Sequence, residues 1–308
     1  MKGFTILEDL PLEERRKYLD SLKKPCHIMM NENDHYYKIE YSNRFTMNEN
    51  LVTYIQVEDI IKVRLLDYNA SNLQFDVFVV KNEIKNGLDF FPNVYRGIID
   101  QMTKIKDHIV CSVDSYGTVV KVFNAEDISR KWQNLKKNLI NNPEISKIIK
   151  EDDLRKLLEA GDKEYSPDGI VITSEMNQSI AFSAFFTGFM DMRNSIVKRT
   201  YLSSIFPKSK IDVKLQISEE YTENETVTYS LTQKDVDIDE NNYKKMFLKN
   251  YYFLNEKFEK FQLEYLCLNT IDVNSKWLIS NRFTISEKIN NSLNNLIICE
   301  IDKISNYG

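Results

Sequence analysis

The stretch YKIEYSNRFTM, residues 37–47, alternates between two kinds of side chain along its whole length. One alternate set is mainly apolar and comprises Ile39, Tyr41, Asn43, Phe45 and Met47. The other set is charged or hydroxylated and includes Arg44. Because successive side chains of a strand point to opposite faces, this period of two predicts a half-buried β-strand. Asn43 interrupts the apolar face of that strand.

The central pentapeptide of this strand, SNRFT, occurs twice, at Ser42–Thr46 and at Ser280–Thr284. With a constant offset, residues 38–51 align without gaps to residues 276–289, and seven of the 14 aligned positions are identical. We therefore predict a pseudo-repeat in which both segments form the same strand-and-turn unit. The two copies are expected to be edge or near-edge strands of two similar sheets or of one pseudo-symmetric sheet.

Outside this strand, periodicity and turn residues predict a series of hairpins with helices inserted in blocks. Further strands are predicted at 51–68 (with a bulge near 58–61), 73–80, 108–124 (as a hairpin), 211–217, 226–232, 261–269, 276–285 and 296–301. Helices are predicted at 12–24, 93–104, 127–160 and 240–259, and an apolar central helix at 175–205. Asn142-Pro143 is expected to break the third of these helices, and Gly161 to end it.

Helical blocks that do not alternate with strands as βαβ units indicate the α+β class. We predict one or more antiparallel, hairpin-rich curved sheets packed around apolar helices. No linker rich in Gly, Pro or Ser divides the chain, so residues 1–308 are expected to form one continuous unit, with possible halves 1–165 and 166–308 that share a core. This architecture is loosely similar to curved-sheet carrier proteins that hold a lipid or a hydrophobic segment, a resemblance that assigns no residue.

Charge and hydropathy exclude several classes of partner. The formal net charge is −5 and neither half is basic, so no nucleic-acid partner is expected. The longest apolar stretch, residues 180–190, is shorter than the roughly 20 residues that span a bilayer, which predicts no membrane span. Acidic residues near the start argue against a signal peptide, and four cysteines without CxxC spacing indicate reduced thiols in a cytoplasmic protein. The high content of Lys, Asn and Ile is typical of a bacterial protein from an AT-rich genome.

Glycine and histidine are too sparse for the common catalytic motifs. No two of the 8 glycines lie closer together than Gly161 and Gly169, so GxGxxG, GxxxxGK and GxSxG motifs do not occur. The three histidines form no HExxH motif and no Cys/His set with zinc spacing. We therefore expect no metal and no cofactor.

Five residues are candidates for contact with a ligand or a partner: Asn43, Asn281, Arg44, Arg282 and Trp277. A buried amide needs hydrogen-bond partners, so the two asparagines either satisfy backbone groups at a bulge or line a cavity. The two arginines fall on the outer face, either as cross-strand ion-pair partners or as ligand clamps. Trp277 occupies an inward apolar position of the second copy.

Two other groups of residues have alternative interpretations. Lys198-Arg199, with the lysines at 208 and 210, is expected near the end of the helix at 175–205, where cations suit the helix dipole. The alternative for this group is an anion site. His108 and Cys111 would face opposite ways on a regular strand, so a nucleophile pair would need a bulge.

The sequence favours a non-catalytic binding protein that acts through a protein partner, as an adaptor, an inhibitor or an immunity-type protein. This interpretation depends on an aromatic-rich fold without a phosphate loop, a metal set or a catalytic triad. One alternative is a carrier of an apolar ligand in a cavity between sheet and helix. The other is a hydrolase of unknown type that uses His108 or His35.

Overall fold

The computed structural model describes residues 34–68, 72–87, 93–190, 196–206, 209–221 and 225–305. The predicted helix at 12–24 lies outside these residues. The described chain forms eleven strands: β1 (His35–Met47), β2 (Asn50–Tyr68), β3 (Asn72–Asn86), β4 (His108–Asp114), β5 (Val119–Val122), β6 (Ile196–Leu202), β7 (Lys210–Tyr221), β8 (Thr226–Asp237), β9 (Phe261–Asp272), β10 (Leu278–Ile289) and β11 (Leu293–Ile304). Its α-helices are α1 (Asn93–Thr103), α2 (Ala125–Asn141), α3 (Pro143–Ile148), α4 (Glu151–Glu164), α5 (Ile170–Gln178), α6 (Ile180–Thr187) and α7 (Glu240–Asn250), with 3₁₀ turns at Lys104–Lys106 and Tyr252–Leu254.

All these strands belong to one antiparallel sheet, in the order β5-β4-β3-β2-β1-β11-β10-β9-β8-β7-β6. Neighbours in sequence are neighbours in space within β1–β5 and within β6–β11, so the sheet consists of two meanders. The meanders join where the first strand pairs with the last, from Tyr36 opposite Ile304 to Met47 opposite Leu293. The predicted α+β class with an antiparallel sheet is confirmed.

Helix α6 lies against one face of this sheet, which we call the inner face. The ring of Phe185 meets that of Tyr37 on β1 edge-on, with 5.0 Å between centroids, and Phe186 packs on an aromatic ring of β3. The side chain of Asn281 on β10 donates a hydrogen bond to the carbonyl of Ala184 at 3.3 Å. Because α6 contacts strands of both meanders, burial of its aromatic side chains stabilises the join between them.

The two ends of the sheet are in contact, which means that the sheet is strongly curved. Arg199 on the edge strand β6 donates to the backbone carbonyl of Tyr116 and, at 3.3 Å, to the hydroxyl of Thr118. Both acceptors lie in the turn between β4 and the other edge strand, β5. Arg199 also reaches the hydroxyl of Thr187, at the end of α6, at 3.4 Å. Eleven flat strands would span roughly 48 Å, so these bonds require the sheet to bend back on itself.

The open edge of β5 is covered by one side chain of α5. Asn177 accepts a hydrogen bond from the backbone N–H of Val119 and donates one to the carbonyl of the same residue, both at 2.8 Å. A neighbouring strand would supply the same pair of bonds. Because an uncovered edge is a template for pairing with another chain, Asn177 satisfies β5 where it would otherwise be open.

The predicted central helix at 175–205 is wrong in its continuity and in its end. Ser179 has an extended backbone, with φ −67° and ψ 122°, which separates α5 from α6. After α6 the described chain resumes as the strand β6. The strand sequence IVKRTYL contains three β-branched residues, and its side chains alternate between inward and outward positions. The pleated conformation therefore suits it better than a helix.

Two other predicted helix ends are displaced, whereas the break at Asn142-Pro143 is confirmed by the boundary between α2 and α3. Helix α7 ends at Asn250 and not at 259. Helix α4 continues past Gly161 to Glu164. A Cβ at Gly161 would lie 2.2 Å from the ring of Trp132, so this glycine allows α2 and α4 to pack closely and does not end the helix.

The two copies of SNRFT lie on β1 and β10, which flank β11 from opposite sides. The prediction of edge or near-edge strands is therefore wrong, since these strands are central. Each copy forms a hairpin with the strand that follows it, β2 or β11, and in each case that strand lies toward the β5 end of the sheet. Both copies expose their arginine, Arg44 or Arg282.

The similarity between the copies ends after the shared pentapeptide. In the first copy, Asn48 and Glu49 form the turn, with positive φ angles of 49° and 65°. In the second copy the strand continues to Ile289, and the turn contains Asn290. Glu287, which aligns with the exposed Glu49, is therefore inside a strand and is 0% exposed. The predicted turn is not shared.

Glu287 is held by three donors from the segment at the end of β6. One carboxylate oxygen accepts from the hydroxyl of Tyr201 at 2.6 Å and from the backbone N–H of Ser204 at 2.7 Å. The other accepts from the hydroxyl of Ser203 at 2.5 Å. A buried carboxylate without a cation depends on such bonds, so Glu287 ties β6 to β10 across the inner face.

Replacing Glu287 by glutamine should destabilise the protein, because the amide N–H groups would face donors in a buried site. We expect a loss of about 1–3 kcal/mol in the free energy of unfolding, measured by urea denaturation. Glu49→Gln, at the aligned but exposed position, is the matched control and should change this free energy by less than about 0.5 kcal/mol. Equal effects of the two substitutions would contradict this account of Glu287.

Candidate functional site

A cavity of about 260 Å³ lies where the two ends of the sheet meet. Its walls come from β6, β9 and β10, from the turn between β4 and β5, and from the junction of α5 and α6. The exposed side chains of Gln178, Lys198 and Thr200 are part of its lining, so the cavity opens to solvent. A partly enclosed cavity between several elements is a common setting for a small-molecule site.

The sheet side of the cavity is apolar. It contains Tyr265 of β9 with Phe283 and Ile285 of β10, and α6 contributes Ile180. The rings of Tyr265 and Phe283 are perpendicular, with 4.9 Å between centroids. Burial raises the pKa of Tyr265, so its phenol stays neutral. We call Tyr265, Phe283 and Ile285 the apolar floor, because they offer rigid contact area without a charge.

Arg199 places a positive charge beside the apolar floor. It occupies an inward position of β6, between the buried Val197 and Tyr201. Its guanidinium bonds the neutral carbonyl and hydroxyl groups described above, and its Nε is buried without a hydrogen-bond partner. In the described part of the chain, no ion pair joins Arg199 to a carboxylate. A partly buried cation without a counter-ion is costly, and an anion in the cavity would relieve that cost.

Sequence reasoning missed the inward position of Arg199, because it placed the residue at the end of a helix. The available signal was the period of two in residues 196–202, which puts Val197, Arg199 and Tyr201 on one face. In the predicted cation group, Lys198 lines the cavity, whereas Lys208 lies outside the described residues. The alternative of an anion site therefore depends on Arg199.

Asn281 is buried, but it is not among the residues that line this cavity. Besides the bond to α6, its side-chain amide donates to Asn269 at 2.5 Å and faces the sulfur of Cys267 at 3.1 Å. The pairing of β10 with β9 shifts register nearby, between Leu278 and Ser280. These contacts position α6 on the sheet. A role of Asn281 in ligand or partner contact stays a prediction.

Asn43 is half-buried on the inner face of β1, and its carbonyl oxygen is buried without a hydrogen-bond partner among the described residues. Burial raises the pKa of Tyr41, and a hydrogen bond with Asn43 partly offsets this effect. The two side chains therefore interact on one face of the strand. Asn43 does not line the cavity, and its predicted contact role is untested.

Arg44 and Arg282 are exposed on the outer face of the sheet. Arg282 pairs with Glu300 of β11 at 3.2 Å, as expected for a cross-strand ion pair. An exposed pair of this kind contributes up to about 1 kcal/mol. Neither arginine lines the cavity, so their predicted role as ligand clamps stays a prediction.

Trp277 is almost fully buried and packs on His35, with 4.0 Å between ring centroids. Neither Nε1 of Trp277 nor Nε2 of His35 has a hydrogen-bond partner in the described chain. Burial, helped by the nearby charge of Lys303 and opposed by Asp34, lowers the pKa of His35 to about 4. His35 is therefore neutral at pH 7, with Nε2 shielded from solvent, which does not suit a general acid or base.

His108 forms a pair with Asp76, with 2.7 Å between Nε2 and the carboxylate, and its ring stacks on Phe78 at 4.0 Å. Cys111 is fully buried, and burial raises the pKa of its thiol to about 12. A protonated, inaccessible thiol is not a nucleophile. A cavity of about 310 Å³ beside His108 is lined by residues that include no Ser, Thr or Cys. In this cavity, therefore, no Ser, Thr or Cys side chain lies beside His108 to act as the nucleophile of the hydrolase alternative.

Within the described ranges, no group of three or more His, Cys, Asp or Glu side chains is arranged to hold a metal ion. The helices that the structure describes include none long and apolar enough to cross a bilayer.

No protein-family model and no curated protein matches this chain. One similar solved structure is that of lipovitellin, described for its lipid–protein interactions, with 7% identity and a TM-score of 0.44 over 88% of this chain and 25% of the lipovitellin chain. This chain thus spans about a quarter of that protein's length. Another is a LolA superfamily protein from Nitrosomonas europaea, with 6% identity and a TM-score of 0.23 over 94% of each chain. Both TM-scores are too low to establish a shared fold, so neither likeness supports a function for this chain.

The low pKa of His35 predicts a loss of stability in acid. The neutral ring is favoured in the folded protein, so its contribution is fully present above pH 6.5 and is lost as the pH falls toward 4. We expect a decrease of about 2 kcal/mol in the free energy of unfolding over this interval, after allowing for partial exposure of the ring. Urea denaturation at a series of pH values measures it.

The His35→Phe variant keeps an aromatic ring on Trp277 but does not titrate, so its stability should fall less than that of the wild type between pH 6.5 and 4. His108→Gln is the control, because it removes a different histidine and should leave the contribution of His35 intact. If wild type and His35→Phe showed the same pH dependence, the assignment of this contribution to His35 would be wrong.

Proposed function

We propose that this protein binds a small amphipathic anion, such as a short-chain carboxylate, in the cavity beside Arg199. The observation that carries the proposal is the guanidinium of Arg199, which has no carboxylate partner in the described chain and lies next to the apolar floor. The planar fork of an arginine suits the two oxygens of a carboxylate. The acyl part of the ligand would pack on Phe283 and its neighbours.

The size of the cavity supports a small ligand. Its volume of about 260 Å³ is close to the lower end, roughly 300 Å³, of the usual range for small-molecule sites. A phospholipid with two acyl chains would not be enclosed by it. The exposed lining residues Gln178, Lys198 and Thr200 leave a route for the ligand to enter and leave.

The proposal includes three finer features of the fold. We infer that the curved sheet packs around α6, because the bend that brings β6 to the β4–β5 turn also forms the cavity. We further infer that residues 38–51 and 276–289 derive from one strand unit used twice, of which only the strand around SNRFT keeps the same structure in both copies; the phenylalanine of the second copy, Phe283, lines the cavity. The pairing of β1 with β11 supports the treatment of residues 1–308 as one unit.

The ligand-binding alternative is favoured over the predicted protein partner by the placement of the candidate contact residues. Arg44 and Arg282 are on the outer face, whereas Asn281 and Trp277 are buried in the interior. These residues do not form one docking surface. The cavity, in contrast, brings a cation and apolar side chains together from strands and helices far apart in sequence.

Titration calorimetry with octanoate and with 1-octanol tests the proposal on the full chain. Arg199→Gln removes the charge-assisted hydrogen bonds to the carboxylate, so its affinity for octanoate should fall about 10- to 100-fold, which corresponds to about 1.5–3 kcal/mol. Its affinity for 1-octanol, which has no charge, should stay within about threefold of the wild-type value.

Two further variants control this experiment. Arg282→Gln removes an arginine of the outer face and should bind octanoate as the wild type does. Ser183→Phe places a ring in the cavity and should weaken the binding of both probes. Absence of octanoate binding to the wild type, or equal octanoate affinity of Arg199→Gln and the wild type, would refute the proposal.

A further inference from the structure

An exposed aromatic and aliphatic cluster lies at the end of α7, away from the cavity. Leu248, Tyr252 and Phe253 are its members, and we call them the apolar tip. They are 50%, 73% and 53% exposed, and the rings of Tyr252 and Phe253 are in contact, with 5.8 Å between centroids. Large apolar side chains that are exposed together mark an interaction surface.

The apolar tip is held by packing beneath it. Tyr243 and Phe247, on the opposite side of α7, are buried in the core. The hydroxyl of Tyr251 donates to the carbonyl of Ile205 at 2.8 Å. The 3₁₀ turn after α7 ends at Asn255, which has a positive φ of 54°. The chain therefore presents the apolar tip from a fixed turn, and binding need not order it first.

Lysines are the charged residues of the segment that carries the apolar tip, and the acidic residues nearest to it in the sequence are Glu240 and Glu256. Lys244, Lys245 and Lys249 are exposed on the same side of α7 as Leu248. Residues 244–255 contain no Asp or Glu, and in the described part of the chain none of the three lysines has an ion-pair partner. An apolar cluster beside three cations of one helix face is complementary to an anionic lipid surface, where aromatic rings sit among the headgroups and lysines meet the phosphates.

We propose that α7 and the 3₁₀ turn dock the protein on an anionic membrane surface, with Tyr252 and Phe253 inserted at the headgroup level. The three lysines provide the electrostatic part of the binding, which depends on the charge of the lipid. This is peripheral binding and requires no membrane span. None of these residues lines the cavity, so the proposal is independent of the ligand assigned to it.

Vesicle flotation of the full chain tests the proposal, with phosphatidylcholine alone and with phosphatidylcholine mixed with phosphatidylglycerol. The protein should bind the anionic vesicles, and added salt should weaken the binding. The triple variant Lys244→Gln, Lys245→Gln, Lys249→Gln should bind them about 100-fold more weakly. The double variant Tyr252→Ser, Phe253→Ser keeps the three lysines but lacks the inserted rings, and it should also bind the anionic vesicles more weakly than the wild type.

Matched variants elsewhere on the protein test whether vesicle binding depends on the apolar tip and its lysines or only on the number of exposed lysines and apolar residues. Lys137→Gln, Lys163→Gln, Lys234→Gln removes three other exposed lysines, and Val120→Ser, Phe123→Ser removes two other exposed apolar residues. Both control variants should bind as the wild type does. Arg199→Gln should also dock normally, so that failure of ligand binding and failure of docking remain distinguishable.

Tryptophan fluorescence locates the contact. Both native tryptophans, Trp132 and Trp277, are buried, so their emission should not change on binding, and the difference in emission between a Phe253→Trp variant and the wild type reports on the apolar tip. The emission of this variant should shift to shorter wavelength on anionic vesicles. Absence of binding to anionic vesicles, binding unchanged by the α7 variants, or emission unchanged on binding would overturn the proposal. Purified protein that binds an acidic protein through α7 but no vesicles would also overturn it.

Discussion

The pairing of β1 with β11 is the constraint on which the rest of the structure depends. These strands come from opposite ends of the described chain, and their pairing closes the loop from Asn48 to Ser292. The entropic cost of closure grows only with the logarithm of loop length, while the pairing supplies a full ladder of backbone hydrogen bonds and buries Tyr37, Ile39 and Ile301. Without it, each meander would have another open edge.

The joined sheet then has to bend, and the bend creates the cavity. Helix α6 packs its aromatic side chains on β1 and β3 and accepts a hydrogen bond from Asn281 of β10, and Arg199 connects β6 to the turn before β5. Asn177 satisfies the backbone of β5 at the same place. The cavity is the space left where the two edges, α5 and α6 meet, so the site exists only because strands at opposite ends of the sheet approach each other.

Three inward-facing polar residues show how a structural role differs from a candidate functional one. Glu287 accepts three hydrogen bonds from neutral donors, so its burial is compensated. Asn281 donates to another buried amide and to a carbonyl of α6, so it positions α6 on the sheet. Among the described residues, Arg199 has no hydrogen-bond partner for its Nε and no carboxylate partner for its charge, and it alone of the three lines the cavity. Asn281 also has a buried atom without a partner among the described residues, its Oδ1, so the position of Arg199 at the cavity, and not incomplete hydrogen bonding alone, makes it the candidate for ligand contact.

The sequence predicted the elements that depend on near neighbours. The alternation in residues 37–47 predicted β1, and the break at Asn142-Pro143 and the hairpins of β4–β5 and β7–β8 were also found from local patterns. It failed at 175–205, where the apolar run through α6 was extended as a helix into β6, and Arg199 was misplaced as a consequence. The prediction that both copies of SNRFT lie on edge or near-edge strands failed for another reason, because strand order depends on pairing between distant segments.

The sequence by itself therefore determined the strands other than β6, most of their inward and outward faces, and the α+β class, because side-chain periodicity acts over a few residues. Only the tertiary structure decided that β1 meets β11, that Glu287 is buried while its counterpart Glu49 is exposed, and that Arg199 lies beside Phe283. Those outcomes depend on long-range backbone pairing and on the curvature of the whole sheet, which no local pattern encodes.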